Sequence, residues 1–173
     1  MIDELPDRFD ALGKLEHADF SGSGMKRLPP GFRQLSSLRE LTLDNSPLLE
    51  LPHNLNLLSN LVTLSLRNTP ITKIPEALFS LRRLENLFTE GTMIEDLPDQ
   101  FSGLSRLKCL SLSAEKLSDF PSSLFELVAL ENLHLDGLSM SALPDEFHRL
   151  NKLKTVILRG NFSELPASLF EMR

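Results

Sequence analysis

The apolar positions of this chain return on a fixed beat. An apolar residue followed by proline stands at Leu5-Pro6, Leu28-Pro29, Leu51-Pro52, Ile74-Pro75, Leu97-Pro98, Phe120-Pro121 and Leu143-Pro144, each 23 residues after the last, and at Leu165-Pro166 after 22. A period of this kind marks a chain built from stacked copies of one unit. Inside the unit LxxLxL keeps step, as Leu38/Leu41/Leu43, Leu61/Leu64/Leu66, Leu107/Leu110/Leu112 and Leu130/Leu133/Leu135. The alternation at its end sends leucines to one face and the residues between them to the other, which predicts one short strand per unit. Stacked, these strands make a parallel sheet.

Each strand leads into a turn carrying Ser23, Ser46, Thr69, Thr92, Glu115, Leu138 or Asn161, and then into an apolar slot filled by Ile2, Met25, Leu48, Ile71, Ile94, Leu117 or Met140. The apolar-Pro pair follows. Proline fits the first turn of a helical segment, where its missing N–H has no acceptor to lose. Asp7, Glu76, Asp99, Asp145 and Glu146 then suit the positive end of that segment's dipole. Apolar residues continue three apart, as in Pro29 to Phe32, Leu35 and Leu38, or Pro98 to Phe101, Leu104 and Leu107. They form one inward stripe on a short convex helix or 3₁₀ segment.

The expected fold is an α/β repeat solenoid, one domain over residues 1–173, with about seven 23-residue units and partial units at both ends. No Gly/Ser-rich linker or change of composition divides it. Ile2 already occupies a mid-repeat slot and Phe170-Glu171-Met172-Arg173 stops inside another repeat, so open apolar edges are expected around Leu5, Leu12, Leu165 and Leu169. The reading is the repeat section of a longer protein, with a small protein of frayed or dimerised ends as the alternative.

The pattern LPxxFxxLxxLxxLxLxx(S/T)xφxxLP resembles the leucine-rich repeat family across nearly the whole chain. Its 23-residue, Leu-Pro form is similar to that of intracellular signalling scaffolds of the Erbin and Scribble kind, of plant intracellular receptors and of effectors that bacterial pathogens inject into host cells. The resemblance implies a horseshoe whose concave parallel sheet binds a protein. The sequence departs from the family at the turn, where Asn is usual. Ser or Thr can supply a shorter version of the amide's bond to backbone. Glu115 and Leu138 cannot, which predicts irregular structure there, and only Asn161 matches.

Composition narrows the function. Although 41% of the chain is hydrophobic, it has no Trp or Tyr and only short apolar runs, so no membrane span is expected. Cys109 is the sole cysteine and Met1-Ile2-Asp3-Glu4 lacks a secretory start, which points to the cytoplasm, or to a host's cytoplasm for an injected effector. A net charge of -6 disfavours nucleic acid and favours a protein partner with a basic patch.

Aligning the repeats gives three outward strand columns. The first is His17, Glu40, Thr63, Asn86, Cys109, Asn132, Thr155; the second Asp19, Thr42, Ser65, Phe88, Ser111, His134, Ile157; the third Ser21, Asp44, Arg67, Glu90, Ser113, Asp136, Arg159. Varied polar chemistry on a uniform frame suits recognition, and the candidate binding residues are Glu40, Thr42, Asp44, Thr63, Ser65, Arg67, Asn86, Phe88, Glu90, Cys109, Ser111, Asn132, His134, Asp136 and Arg159. An ordinary solvated sheet face is the plainer alternative. No catalytic, cofactor or metal site is expected. Cys109 and His134 fall on adjacent strands but two positions out of register, and His134 with Asp136 offers only two metal ligands. Gly22, Gly91, Gly137 and Gly160 share one column and read as turn glycines rather than a phosphate cradle.

The function expected is a non-enzymatic protein-binding module. Its alternative is the substrate-recognition domain of a larger enzyme, such as a bacterial effector ubiquitin ligase. The fourth repeat breaks the pattern: Phe88 falls on the outward column while Thr89 takes an inward leucine's place. Either the strand slips and turns Phe88 inward, or Phe88 stands exposed at the middle of the concave face.

Overall fold

The computed structural model describes residues 10–113, 115–117, 120–138 and 142–171. The expectations for Ile2, Leu5-Pro6, Asp7 and Met140 lie outside these residues. Seven strands form one open parallel sheet in chain order: β1 (His17–Asp19), β2 (Glu40–Thr42), β3 (Thr63–Ser65), β4 (Asn86–Thr89), β5 (Cys109–Ser113), β6 (Asn132–Leu138) and β7 (Thr155–Gly160). Glu40, Thr63, Asn86, Cys109, Asn132 and Thr155 pair strand to strand, so the 23-residue period is the sheet register itself.

The LxL leucines point inward. Leu38, Leu41, Leu43, Leu61, Leu64, Leu66, Leu107, Leu110, Leu112, Leu130, Leu133 and Leu135 are all buried, with Phe32, Phe101 and Phe147 beneath the convex side. Each convex segment is a 3₁₀ helix of at most five residues, too short to repay an α-helical nucleus. Proline sits one place earlier than expected. Pro29, Pro75, Pro121 and Pro166 are N-caps with extended ψ, and the Pro29, Pro75 and Pro121 carbonyls accept from Phe32, Leu78 and Leu124 N–H at 3.0 to 3.1 Å. Proline therefore starts the turn with its carbonyl, which a missing N–H does not affect.

At three of the turns the short hydroxyl does the expected work, while that of Ser23 is buried without a partner. Ser46, Thr69 and Thr92 donate to the carbonyls of Leu43, Leu66 and Thr89 at 2.6, 2.7 and 2.8 Å. Where that hydroxyl gives way to Leu138, the pairing of β6 with β7 shifts register between Asp136 and Leu138. Asn161, the family's usual residue, is exposed. Three of the four turn glycines are as expected, Gly22, Gly91 and Gly137 having φ of 66°, 71° and 72°, but Gly160 ends β7 as a strand residue opposite Leu138. Asn45 and Asn68 take the same left-handed conformation, which asparagine tolerates better than most residues.

A longer unit overlies the short one. The convex segments Glu76–Ser80 and Ser122–Glu126 have five residues, whereas Phe101–Gly103 and Phe147–Arg149 have three. Phe79 meets Phe101 edge-on at 5.0 Å, and Phe125 meets Phe147 in the same way at 5.2 Å. Asp99 and Asp145 do not serve their own first turns as expected. Asp99 Oδ1 accepts the Ser123 N–H at 2.7 Å and Asp145 Oδ1 accepts the Ser168 N–H at 2.7 Å, so each caps the next repeat. Lys108 bonds Glu85 and Lys154 bonds Glu131 in the same alternation. Between Glu76 and Arg149 the repeats come in pairs, and the last segment, Ala167–Leu169, has three residues and breaks the alternation of lengths.

The Ser123 N–H, followed by the Ser123 and Ser122 hydroxyls, holds the Asp99 carboxyl below its ordinary value. A depressed carboxyl contributes stability above its unfolded pKa of about 3.9, and loses it as pH falls through the folded value. Asp99→Asn is expected to flatten the acid limb of the stability curve. Urea midpoints taken from about pH 7 down to about pH 2.5 check this; parallel wild-type and variant curves would remove the contact from the account.

Candidate functional site

The outward columns keep the strand register on the concave face of the sheet, but Ser65, Ser111 and Ser113 are buried among their neighbours. The fourth strand does not slip. Phe88 pairs with Ser65 and Ser111 in the outward column while Thr89 is 0% exposed and donates to the Ser111 carbonyl at 3.1 Å. Threonine can fill a leucine slot because that hydroxyl has a backbone acceptor across the strand. Phe88 is half-buried rather than fully exposed, because the Arg67 guanidinium lies 4.0 Å over its ring.

Arg67 is held there from both sides. Its Nε donates to Glu90 Oε2 at 2.9 Å, and its Nη1 lies 3.8 Å from Asp44 Oδ2. Asp44 Oδ1 also accepts the Ser65 hydroxyl at 2.6 Å and the Arg67 N–H at 2.8 Å. Burial pushes the Glu90 carboxyl up, but the Ser111 hydroxyl, its own backbone and Arg67 outweigh it, leaving the pKa below the ordinary carboxylate value. Ser111 acts by proximity, since its hydroxyl makes no well-directed hydrogen bond. The face is acidic in count, yet its acids are engaged within the chain: Asp19 with Ser21, Glu40 with His17 at 2.9 Å, and Asp136 with Arg159 at 3.8 Å.

Asn86 donates to Thr63 and Asn132 to Cys109 Sγ, at 3.1 and 3.2 Å, tying the first column across strands. Cys109 pairs with Asn132 and Ser111 with His134, so Cys109 and His134 are two positions out of register as read. Among the described residues no group of three His, Cys, Asp or Glu side chains could hold a metal ion, and no helix is long and apolar enough to cross a membrane.

The sheet's centre holds a notch of about 180 Å³, lined by Phe88, Glu90, Ser111, His134, Thr155 and Ile157 among others. Ile157 and Thr155 were not singled out as binding residues. Ile157 carried a signal all the same, being the other large apolar residue besides Phe88 in an otherwise polar outward column.

A repeat-built parallel sheet with short 3₁₀ turns on its convex side defines the class: the chain is a leucine-rich repeat solenoid. It is similar to a leucine-rich repeat protein of Leptospira interrogans, at 29% identity over 89% of this chain and 40% of that one, with a TM-score of 0.84. The leucine-rich repeat domain of the type III effector XopL matches at 28% identity over 84% of this chain and 52% of that one, TM-score 0.73. Internalin InlF of Listeria monocytogenes, at 20% identity over 99% of this chain and 50% of that one, shares the fold with a TM-score of 0.81. The chain thus spans about half or less of each of these structures. No family profile and no curated protein matches it.

Proposed function

We propose that this chain is a non-enzymatic recognition module that docks a protein on its concave strands, with Phe88 at the centre of the contact. One observation carries the reading: β4 buries a threonine and keeps a phenylalanine outward, the reverse of what solvation alone favours. An aromatic ringed by polar residues is where binding energy concentrates, because the rim excludes water from it. The candidate contacts run from Glu40, Thr42 and Asp44 through Thr63, Ser65, Arg67, Asn86 and Glu90 to Cys109, Ser111, Asn132, His134, Asp136 and Arg159. The excess of acids favours a partner bearing Lys or Arg at its rim, not a nucleic acid. The setting we assign is the cytoplasm, a host's if the chain is part of an injected effector. The likeness to a type III effector's repeat domain favours one second reading, in which this module selects substrates for a larger enzyme such as an effector ubiquitin ligase.

Phe88→Ala is the test. Affinity for a protein or peptide selected on the wild-type chain is expected to fall by at least ~2 kcal/mol, the usual hot-spot threshold, while thermal stability stays nearly unchanged. A large drop in the melting midpoint would make Phe88 a structural residue. Retained affinity would remove it from the interface.

A further inference from the structure

We propose that the flank where the chain enters its strands is a second docking surface, which takes an acidic segment of a partner protein with an apolar residue among its carboxylates. In every repeat a two-residue turn joins the convex side to the strand, at residues 13–14, 36–37, 59–60, 82–83, 105–106, 128–129 and 151–152. Stacked, these turns form a ridge along the solenoid. The ridge holds five bases, Lys14, Arg82, Arg83, Arg106 and Lys152, and no carboxylate, in a chain with 24 acids against 18 bases. The acids lie elsewhere, so this flank is charged opposite to the molecule as a whole.

Neutral groups tie the turns to one another. Asn60 Nδ2 donates to the Ser36 carbonyl at 2.7 Å and Arg83 Nη1 donates to Asn60 Oδ1 at 2.6 Å, so an amide holds the Arg83 head on the ridge and leaves its charge uncancelled. Arg82, Arg83, Arg106 and Lys152 are all exposed, and among the described residues none of them has a carboxylate partner. Two positions further along each repeat the acids are engaged, Glu85 with Lys108 at 2.7 Å and Glu131 with Lys154 at 2.6 Å. Like charges gathered in adjoining turns repel one another, and a partner that brings carboxylates relieves them.

Charge, width and an apolar gap select the guest. Between Arg106 and Lys152 the ridge carries Val128, 54% exposed, and Ala129 in place of bases. Two repeats at the usual strand spacing set those two charges roughly 10 Å apart, room for one apolar side chain between two carboxylates. A protein segment can supply both kinds of group at that spacing, whereas a nucleic-acid backbone supplies only the charge. A bilayer or a duplex is also far wider than a ridge two residues across. It would press on Glu16 and Glu126, exposed beside the first and sixth turns, and it would meet the repulsion of a chain with a net charge of -6. A single acidic chain can run along the ridge beside those two acids.

A display library of random linear peptides, panned on the full chain, tests this. The counterpart is a discharged variant, Arg83→Gln/Arg106→Gln/Lys152→Gln, with unchanged melting midpoints as the folding control. The expected result is a class of peptides rich in Asp or Glu that bind the wild-type chain about tenfold more tightly than the discharged one and weaken as salt rises from about 0.05 to 0.5 M. Val128→Ser should weaken the same peptides about fivefold, the loss of one apolar contact. A library with no peptide sensitive to the discharge overturns the inference. So do acidic peptides indifferent to Val128→Ser, because the flank would then read charge alone, and so does binding of phosphatidylserine vesicles or a DNA duplex that depends on the three bases as strongly as the peptides do. Phe88→Ala leaves this flank untouched, so concave docking and ridge docking fail separately.

Discussion

Leu64→Ala is expected to lower the free energy of unfolding by about 2 to 5 kcal/mol, the range for a large-to-small change in a core that cannot collapse around the gap. Leu64 is 0% exposed and lies in register between Leu41 and Leu87, so the lost methyl groups leave both neighbouring repeats without a contact. Position adds to the effect. A solenoid is held by nearest-neighbour interfaces, and a defect on β3 uncouples the repeats before it from those after it. Chemical denaturation should therefore show a lower midpoint and a shallower slope, because two shorter blocks melt with less cooperativity than one. An unmoved midpoint would refute the inward assignment of the LxL leucines.

That assignment was legible because it needs only local information. Period two decides which face Leu64 takes, and a period of 23 decides that Leu41 and Leu87 lie beside it. The same arithmetic placed Phe88 outward and kept Cys109 away from His134. What a 23-residue alignment hid depends on what the neighbouring repeat happens to carry. Asp99 looks like an acid for its own helical turn, yet its acceptor oxygen reaches Ser123 N–H one repeat on. Arg67 reads as a free base until its stacking on Phe88 and its bond to Glu90 are seen.

The notch is a further step removed from the sequence. It exists because Ser111 is small where Phe88 and Ile157 are large, a difference across strands that no single repeat displays. The pairing of these charges was hidden for a similar reason. Counting acids on the outward columns ignored that Glu40, Glu90 and Asp136 each face a histidine or arginine on an adjacent strand.

Gly103→Ala is expected to cost about 3 kcal/mol, the upper end of the usual range for overpacking. A Cβ built on Gly103 would stand 2.1 Å from the carbonyl oxygen of Phe79 and 3.1 Å from its carbonyl carbon. The obstacle is backbone, so no rotamer change relieves it. Nor can the segment Glu76–Ser80 easily back away, because Phe79 is buried with its ring 5.0 Å from that of Phe101, and the Leu81 N–H is bonded to the Leu78 carbonyl at 3.0 Å. Other repeats hold Gln34, Leu57, Ser80, Glu126 and Arg149 at this place, so the constraint arises from this particular pair of convex segments and not from the repeat as such. Gly103 has no positive φ, which makes contact and not backbone conformation the whole of the effect. Gly22→Ala supplies the contrast, since an added Cβ there meets nothing within 4 Å and only its φ of 66° resists the change. Denaturation midpoints of the two variants, measured side by side, check the claim: Gly103→Ala should be the more damaging, and the reverse order would mean that the two convex segments slide apart freely.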